Sequence, residues 1–190
     1  MEEEAAPNSI DAANRRKYLV FGAVFLFALV ADQATKVWAR ATLAPRRAPI
    51  VVINGFFDLR YSENPGSAFG LFRNLAGGRW LLLAIGVVAM VVVVGLLRRV
   101  KPGQLRIAGE LGLLAGGALG NIVDRISRGV VTDFVLWKIQ SRGLEWPVFN
   151  VADAALVVGV IALLLDMKGD PKEPPAGGRA ARRSSETRKK

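Results

Sequence analysis

The sequence predicts an all-α polytopic membrane protein with four transmembrane helices and a small extracytoplasmic β-sheet, a cradle, between helices 1 and 2. Hydrophobic residues make up 52% of the 190 residues, which favours one membrane domain over two soluble ones. The apolar residues fall into four runs of membrane-spanning length. Between the first two runs, apolar and polar residues alternate with the period of two that is typical of a strand.

The first apolar run starts at Tyr18 and, counted through Val37, is about 20 residues long, enough to cross a bilayer. A cleaved signal peptide would end in small residues. Here the run ends in Asp32 and Lys36, which favours a retained helix. The other three predicted spans cover residues 80–97, 105–123 and 148–167.

Residues 39–78 have a different character, because Pro45 and Pro49 interrupt any helix. A β-branched run at 50–53, the hairpin signal Asn54-Gly55 and the alternation over 57–62 predict a small sheet lying on the membrane. The sequence NPGSAFG, residues 64–70, begins with turn chemistry and fits an ordinary loop. Its glycines would also let the backbone approach a bound extended peptide.

The net charge of +10 is concentrated near the C-terminus, where the residues from 168 onward hold eight basic and three acidic side chains. Such a tail predicts a disordered segment near anionic lipid headgroups rather than a nucleic-acid-binding surface. We therefore divide the chain into a cytoplasmic tail (1–16), a membrane domain (17–167) and a basic cytoplasmic tail (168–190). The short basic segments place both termini in the cytoplasm, although the first external loop also carries arginines.

With this topology, the unusual polar residues of the membrane domain fall at one face, the outer one. Charged and polar groups in a membrane-length segment are costly and usually serve a function. Asp32 and Lys36 share a helix face, either as an ion pair or as a brace for a nearby site. The others lie at the end of helix 3, after it, or at the start of helix 4: Asn121, Asp124, Arg125, Asp133, Asn150 and Asp153.

The chain contains no cysteine and no histidine, which excludes thiolate nucleophiles, Ser-His-Asp triads and HExxH zinc sites. Two close carboxylates, Asp133 and Asp153, would share one proton and could activate water without a metal or cofactor, as in aspartic proteases. Simpler interpretations stay open for each residue. Asp133 could be an N-cap, Asp153 could interact with a helix dipole, and Asp124 could form a structural ion pair with Arg125.

These motifs, in this order, resemble lipoprotein signal peptidase (signal peptidase II), the bacterial membrane aspartic peptidase family. The resemblance runs over residues 18–167 and is carried by ADQATK, NPGSAFG, GGALGNIVDR, VVTDF and FNVAD. Thr132 departs from the pattern, because an aliphatic residue is common there, and residues 138–147 match no part of it.

The resemblance implies an enzyme of the bacterial cytoplasmic membrane that removes the signal peptide from diacylglyceryl-modified prolipoproteins, just before the lipidated cysteine. It implies Asp133 and Asp153 as the catalytic pair. It also implies contact with membrane lipid and inhibition by globomycin-like peptides, and we expect a monomer. Binding or supporting roles would fall to Asn64, Gly66, Asn121, Arg125, Asn150, Asp32, Lys36 and Asp124.

Three alternatives remain on the sequence alone. A Ser/Lys peptidase could use Lys36 with one of Ser62, Ser67 or Ser127. A proton or ion pathway would need ionisable groups at several depths, whereas the middle of each predicted span is free of charge. A scaffold could use Gly112, Gly116 and Gly120, which recur every four residues, for close helix packing only.

Overall fold

The computed structural model describes residues 9–66 and 78–169. Within these ranges the chain forms four α-helices and one four-stranded antiparallel sheet. The helices are α1 (Ser9–Thr42), α2 (Gly78–Arg99), α3 (Leu105–Ser127) and α4 (Val151–Gly169). The strands are β1 (Ile50–Ile53), β2 (Phe57–Asn64), β3 (Val131–Ile139) and β4 (Leu144–Glu145), with a 3₁₀ turn at Gln140–Arg142.

Helix α1 is 34 residues long, considerably longer than the predicted first span. It includes residues 9–16, which the sequence assigned to the N-terminal tail, and it continues past the predicted end at Val37. No proline interrupts it before Pro45. Asp11 in the first turn and Arg40 in the last turn also complement the helix dipole.

Helix α3 is the central helix and packs against the other three. Its glycines permit this, because a Cβ placed on Gly116 would lie 2.8 Å from the backbone oxygen of Phe25 in α1. On another side of α3, a Cβ on Gly117 would lie 2.6 Å from the backbone oxygen of Ala152 in α4. The predicted small-residue face is therefore used for close packing of backbones.

The sheet differs from its prediction, which placed it entirely between helices 1 and 2. The strand order is β1-β2-β3-β4, so half of the sheet comes from the connection between α3 and α4. Residues 138–147 provide the end of β3 and all of β4. Strand β3 escaped detection because residues 131–134 are buried on both faces and place polar Thr132 and Asp133 between apolar Val131 and Phe134, so the apolar–polar alternation of a half-exposed strand is missing.

Two features of the sheet bring the ends of the bundle together. Between the pairs Leu59–Val135 and Ser62–Asp133, β2 contains one residue more than β3. Strand β2 therefore has a bulge next to Asp133. Phe149 then pairs with β3, because its N–H donates to the Val135 oxygen (3.0 Å) and its oxygen accepts from the Val135 N–H (2.8 Å). Since α4 begins two residues later, its N-terminus lies beside Asp133.

Two helices of the described ranges, Asp11–Thr42 and Gly78–Arg99, are long and apolar enough to cross a membrane. Their outward faces expose large apolar side chains such as Phe27 and Val91. At the end of the bundle away from the sheet, the buried Lys17 ammonium donates to the backbone oxygen of Val100 (2.8 Å). This contact ties the start of α1 to the α2–α3 connection.

Candidate active site

The first turn of α4 is closed by reciprocal hydrogen bonds between Asn150 and Asp153. The Asp153 N–H donates to Asn150 Oδ1 (2.9 Å), and the Asn150 N–H donates to Asp153 Oδ2 (3.2 Å). This is the capping-box arrangement, with an aspartate in the third helical position. Asp32 of α1 satisfies another free amide of the same turn, because its Oδ1 accepts from the Ala152 N–H (2.9 Å). The Asp153 carboxylate is therefore fixed by local capping.

Asp133 is the third residue of β3, and its side chain is buried. The Asn150 amide donates to its Oδ1 (2.6 Å), and the Asn64 amide of β2 donates to its Oδ2 (3.3 Å). Asn150 is thus hydrogen-bonded to both aspartates, through its side chain to Asp133 and through side chain and backbone to Asp153. The possible N-cap role of Asp133 is wrong, because the residue lies within a strand.

Burial raises the pKa of Asp133 from 3.8 to about 7, and the nearby negative charge of Asp153 adds to the rise. The hydrogen bonds from Asn150 and Asn64, and the charge of Lys36, act in the opposite direction without offsetting the rise. Asp133 therefore holds a proton at pH values at which an exposed aspartate is ionised. In the same site Asp153 accepts two hydrogen bonds, an environment suited to a carboxylate.

Asn121 of α3 links Asp153 and Asn150 to the buried ammonium of Lys36. Its amide nitrogen donates to Asp153 Oδ1 (2.8 Å). Its amide oxygen accepts from Lys36 Nζ (2.9 Å) and from Asn150 Nδ2 (3.2 Å). Every polar atom of the Asn121 side chain thus has a partner in the site, and α1, α3 and α4 are linked through one carboxamide.

Below the aspartates lies a buried cluster of charges around Lys36. Lys36, Asp32 and Asp124 are each at most 1% exposed. The ammonium lies 2.8 Å from Asp32 Oδ2 and 3.5 Å from Asp124 Oδ2. Two carboxylates around one buried ammonium, with an amide oxygen as a third contact, keep these charges paired. In the described part of the chain, no serine hydroxyl contacts Lys36, which disfavours the Ser/Lys alternative.

Two residues of this region were not identified from the sequence, Arg40 and Thr132. Arg40 of α1 donates to the Thr132 hydroxyl (3.1 Å) and lies 3.7 Å from Asp124 Oδ1. The Thr132 N–H donates to Asp124 Oδ2 (3.0 Å). Arg40 lies four residues after Lys36 on one helix face, and this spacing was the only available signal.

The structure places the remaining predicted residues as follows. Asp124 pairs with Lys36 and Arg40 rather than with Arg125. Arg125 donates to the Asn121 backbone oxygen (3.3 Å) and lies near enough to Asp133 and Asp153 to interact electrostatically.

Gly66 is buried with φ +123°, and a Cβ there would lie 2.9 Å from the Arg79 nitrogen, so glycine is required by the turn and by α2. Residues 67–70 of the NPGSAFG motif, Ser67 included, lie outside the described residues.

A helical bundle with a polar site at one end, beside a small sheet, is also the architecture of known membrane enzymes. Two solved structures, each described as a bacterial membrane enzyme structure obtained by the in meso method, at 2.3 and 1.9 Å resolution, are similar to this chain. They share 29% and 28% of residues with it, with TM-scores of 0.65 and 0.67. The matches cover 80% and 78% of this chain and 92% of each solved chain.

Sequence comparison gives the family. The family described as signal peptidase (SPase) II matches residues 24–168. The lipoprotein signal peptidase of Geobacter metallireducens is 39% identical over 157 residues, covering 82% of this chain and 94% of that protein. That of Pseudomonas putida is 41% identical over 166 residues, covering 86% and 96%. The chain belongs to the signal peptidase II family, and is accordingly a membrane protein and a peptidase.

Proposed function

We propose that this protein is an aspartic endopeptidase that removes the signal peptide from diacylglyceryl-modified prolipoproteins, cleaving just before the lipidated cysteine. Asp133 and Asp153 are the catalytic pair. The substrate class follows from the family and from its relatives, which are lipoprotein signal peptidases. The aspartic mechanism is supported by the chemistry available in the chain, which has neither cysteine nor histidine.

The observation that carries the proposal is the placement of Asn150 between the two aspartates. Its side chain donates to Asp133 (2.6 Å), while its own N–H donates to Asp153 (3.2 Å). One short residue thus fixes both carboxylates at the junction of β3 and α4. The neutral amide of Asn150 does not cancel the repulsion between the two carboxylates, and the charge of Lys36 only partly offsets the rise in the pKa of Asp133. Burial, together with that repulsion, raises the pKa of Asp133, so this residue keeps a proton that an exposed aspartate would release.

The proton positions define the reaction. Asp153, ionised, takes a proton from water as the water oxygen bonds to the scissile carbonyl carbon. Asp133, protonated, gives its proton to the carbonyl oxygen, so that a neutral gem-diol forms. Asp153 then delivers its proton to the amide nitrogen, and Asp133 recovers a proton from the diol as the C–N bond breaks. The products are the signal-peptide carboxyl group and the free amine of the cysteine, and the pair returns to its starting state.

The polar neighbours have supporting roles in this mechanism. Asn64 and Asn150 hold the two oxygens of Asp133, and Asn121 orients Asp153. Arg125 is the proposed ligand of a substrate carbonyl, because its Nε is buried and has no hydrogen-bond partner among residues 9–66 and 78–169. Gly66 is proposed to let the substrate backbone pass close to β2, in addition to its place in the turn.

We propose that all four helices span the bilayer, with both termini in the cytoplasm and the site near the outer face. Helix α4 exposes large apolar side chains such as Ile161 and Leu165, as α1 and α2 do. Contact with lipid would remove these side chains from water. Trp137 and Trp146 of the sheet region are exposed, as expected for aromatic side chains at a membrane interface.

A lipid-modified substrate would then reach the site sideways from the bilayer, and globomycin-like peptides would compete for the same place. The enzyme would work as a monomer. The basic tail would associate with the inner leaflet through its cationic side chains.

The test is cleavage of a diacylglyceryl-modified prolipoprotein by the purified protein in detergent. Asp133→Asn and Asp153→Asn should each abolish turnover while the thermal unfolding transition remains cooperative. Asp166→Asn is the matched control, because it removes a carboxylate from the other end of α4. Appreciable cleavage by a folded Asp133→Asn or Asp153→Asn variant would refute the catalytic pair, and loss of cleavage in Ser62→Ala instead would favour a serine peptidase.

A further inference from the structure

Three elements meet at the residue immediately before Asp133. Arg40 comes from the last turn of α1, Asp124 from the C-terminal end of α3, and Thr132 from β3. The Arg40 guanidinium donates to the Thr132 hydroxyl (3.1 Å) and faces Asp124 Oδ1 at 3.7 Å. The Thr132 N–H donates to the other Asp124 oxygen at 3.0 Å. The three residues form a closed ring of contacts.

Burial makes this ring rigid. Thr132 is 0% and Asp124 1% exposed, and the Arg40 side chain is 20% exposed. Hydrogen bonds between buried groups are costly to break, because no water replaces the lost partner. The guanidinium is planar, so contacts with a hydroxyl and a carboxylate also fix its orientation. The ring therefore fixes the strand relative to α1 and α3 one residue away from Asp133.

We propose that Arg40 and Thr132 are positioning residues for Asp133, setting the height and direction of its carboxyl group relative to Asp153. The inference rests on the proposed function, since it assumes that Asp133 is catalytic. An aliphatic residue at position 132 would fill the same space but could not hydrogen-bond to Arg40. This chain therefore uses a polar contact for a task that packing alone would otherwise have to perform.

Catalysis should be sensitive to this contact. The capping box holds Asp153 at the start of α4. Asp133 instead lies on β3, which the ring joins to α1 and α3, and its carboxyl group accepts hydrogen bonds from Asn64 and Asn150. Misplacement of a reacting group by about 1 Å can cost on the order of a hundredfold in rate. A smaller displacement of β3, with its backbone bond to Asp124 retained, should cost about tenfold.

The experiment compares Thr132→Val, Thr132→Ser, Arg40→Met and the double variant Arg40→Met/Thr132→Val, all purified as full chains. Thr132→Val keeps the volume and removes only the hydroxyl. We expect kcat to fall about tenfold with KM unchanged within about twofold, and Thr132→Ser to recover most of the activity. The double variant should be no slower than Arg40→Met alone. Both substitutions break the same contact between Arg40 and Thr132, so their effects should not add. Arg106→Met is the matched control, since it breaks an Arg–Asp pair (3.0 Å to Asp166) between α3 and α4.

The pH profile separates positioning from stability. A loosened β3 leaves Asp133 more hydrated and farther from Asp153, so the alkaline limb of kcat/KM should move to lower pH in Thr132→Val. Within residues 9–66 and 78–169, Asp153, Lys36 and Arg125 are the charged groups that interact with Asp133, and none of them is altered by Thr132→Val.

Wild-type kcat and an unshifted profile in Thr132→Val and Arg40→Met would overturn the inference. So would a fall in kcat of the same size in Arg106→Met. Asp133→Asn measured alongside tests the proposed function separately. If it abolishes turnover while the position 40 and 132 variants are normal, only the positioning role fails. If Asp133→Asn remains active, the catalytic pair fails as well.

Discussion

Replacing Asn150 with alanine removes a side chain that is hydrogen-bonded both to the Asp133 carboxyl group and to the Asp153 N–H. Asn150 is fully buried and makes three side-chain hydrogen bonds, to Asp133 (2.6 Å), Asn121 (3.2 Å) and the Asp153 N–H (2.9 Å). Loss of an N-cap costs about 1 kcal/mol, and loss of a hydrogen bond to a group that can carry charge about 1.5–3 kcal/mol. We expect a destabilisation of about 3 kcal/mol, since bonds of one side chain do not add fully.

Asn150→Ser separates the two roles of this residue. Serine is a good N-cap, so it should recover about 1 kcal/mol of the stability lost in Asn150→Ala. It is too short to replace the amide that donates to Asp133, so kcat should remain low, about a hundredfold below wild type, in both variants. The hydrogen bond from Asn150 lowers the pKa of Asp133. Its loss should therefore move the alkaline limb of the pH profile upward, opposite to the shift expected for Thr132→Val.

The assays are cleavage of a diacylglyceryl-modified prolipoprotein across pH and thermal unfolding in the same detergent. Asn150 does not position the aspartates if folded Asn150→Ala keeps kcat within about threefold of wild type with the same pH profile. The same holds if Asn150→Ser restores activity in step with stability, because the amide would then matter only as a helix cap.

Four further predictions follow from the same structure. Gly116→Ala should lower the free energy of unfolding by about 1–3 kcal/mol in a urea titration, because the added methyl group overpacks against α1. Gly95→Ala is the control, and it should be neutral or slightly stabilising because its methyl group meets open space. Lys36→Met should destabilise by about 3–5 kcal/mol in thermal unfolding, because it leaves the buried Asp32 carboxylate without its cation, whereas Asp124 keeps Arg40. The folded protein keeps the Asp133 proton between pH 3.8 and about 7 while the unfolded chain releases it. Stability should therefore fall as pH rises through that window, by on the order of 4 kcal/mol, and Asp133→Asn should flatten the dependence. Deletion of residues 172–190 should leave cleavage largely intact, and complete loss would exclude a role limited to membrane association.

Much of the site could be predicted from the sequence because its residues stand in local patterns. Asn150 and Asp153 are three apart at the start of an apolar run, which is a capping signature as well as a functional one. Asp32 and Lys36 are four apart and form the predicted ion pair at 2.8 Å. The absence of cysteine and histidine limited the chemistry before any geometry was known.

The sheet could not be predicted in full, since its second half has no local signal. The first four residues of β3 are buried on both faces and include polar Thr132 and Asp133, which removes the alternation by which strands are found, and β4 has only two residues. The extra residue of β2 is a bulge, whose position depends on the partner strand. The pairing of Phe149 with Val135 likewise depends on where α3 ends and α4 begins.

Local spacing thus accounts for the helices, the Asn150–Asp153 cap and the Asp32–Lys36 pair, because each of these depends on residues within one or two turns of each other. The contacts between Arg40, Asp124 and Thr132, and the enclosure of Lys36, join residues up to 92 positions apart. The glycines of α3 allow the close approach of α1 and α4 that brings these residues together. Burial at that meeting point, and with it the raised pKa of Asp133, is a property of the packed structure alone.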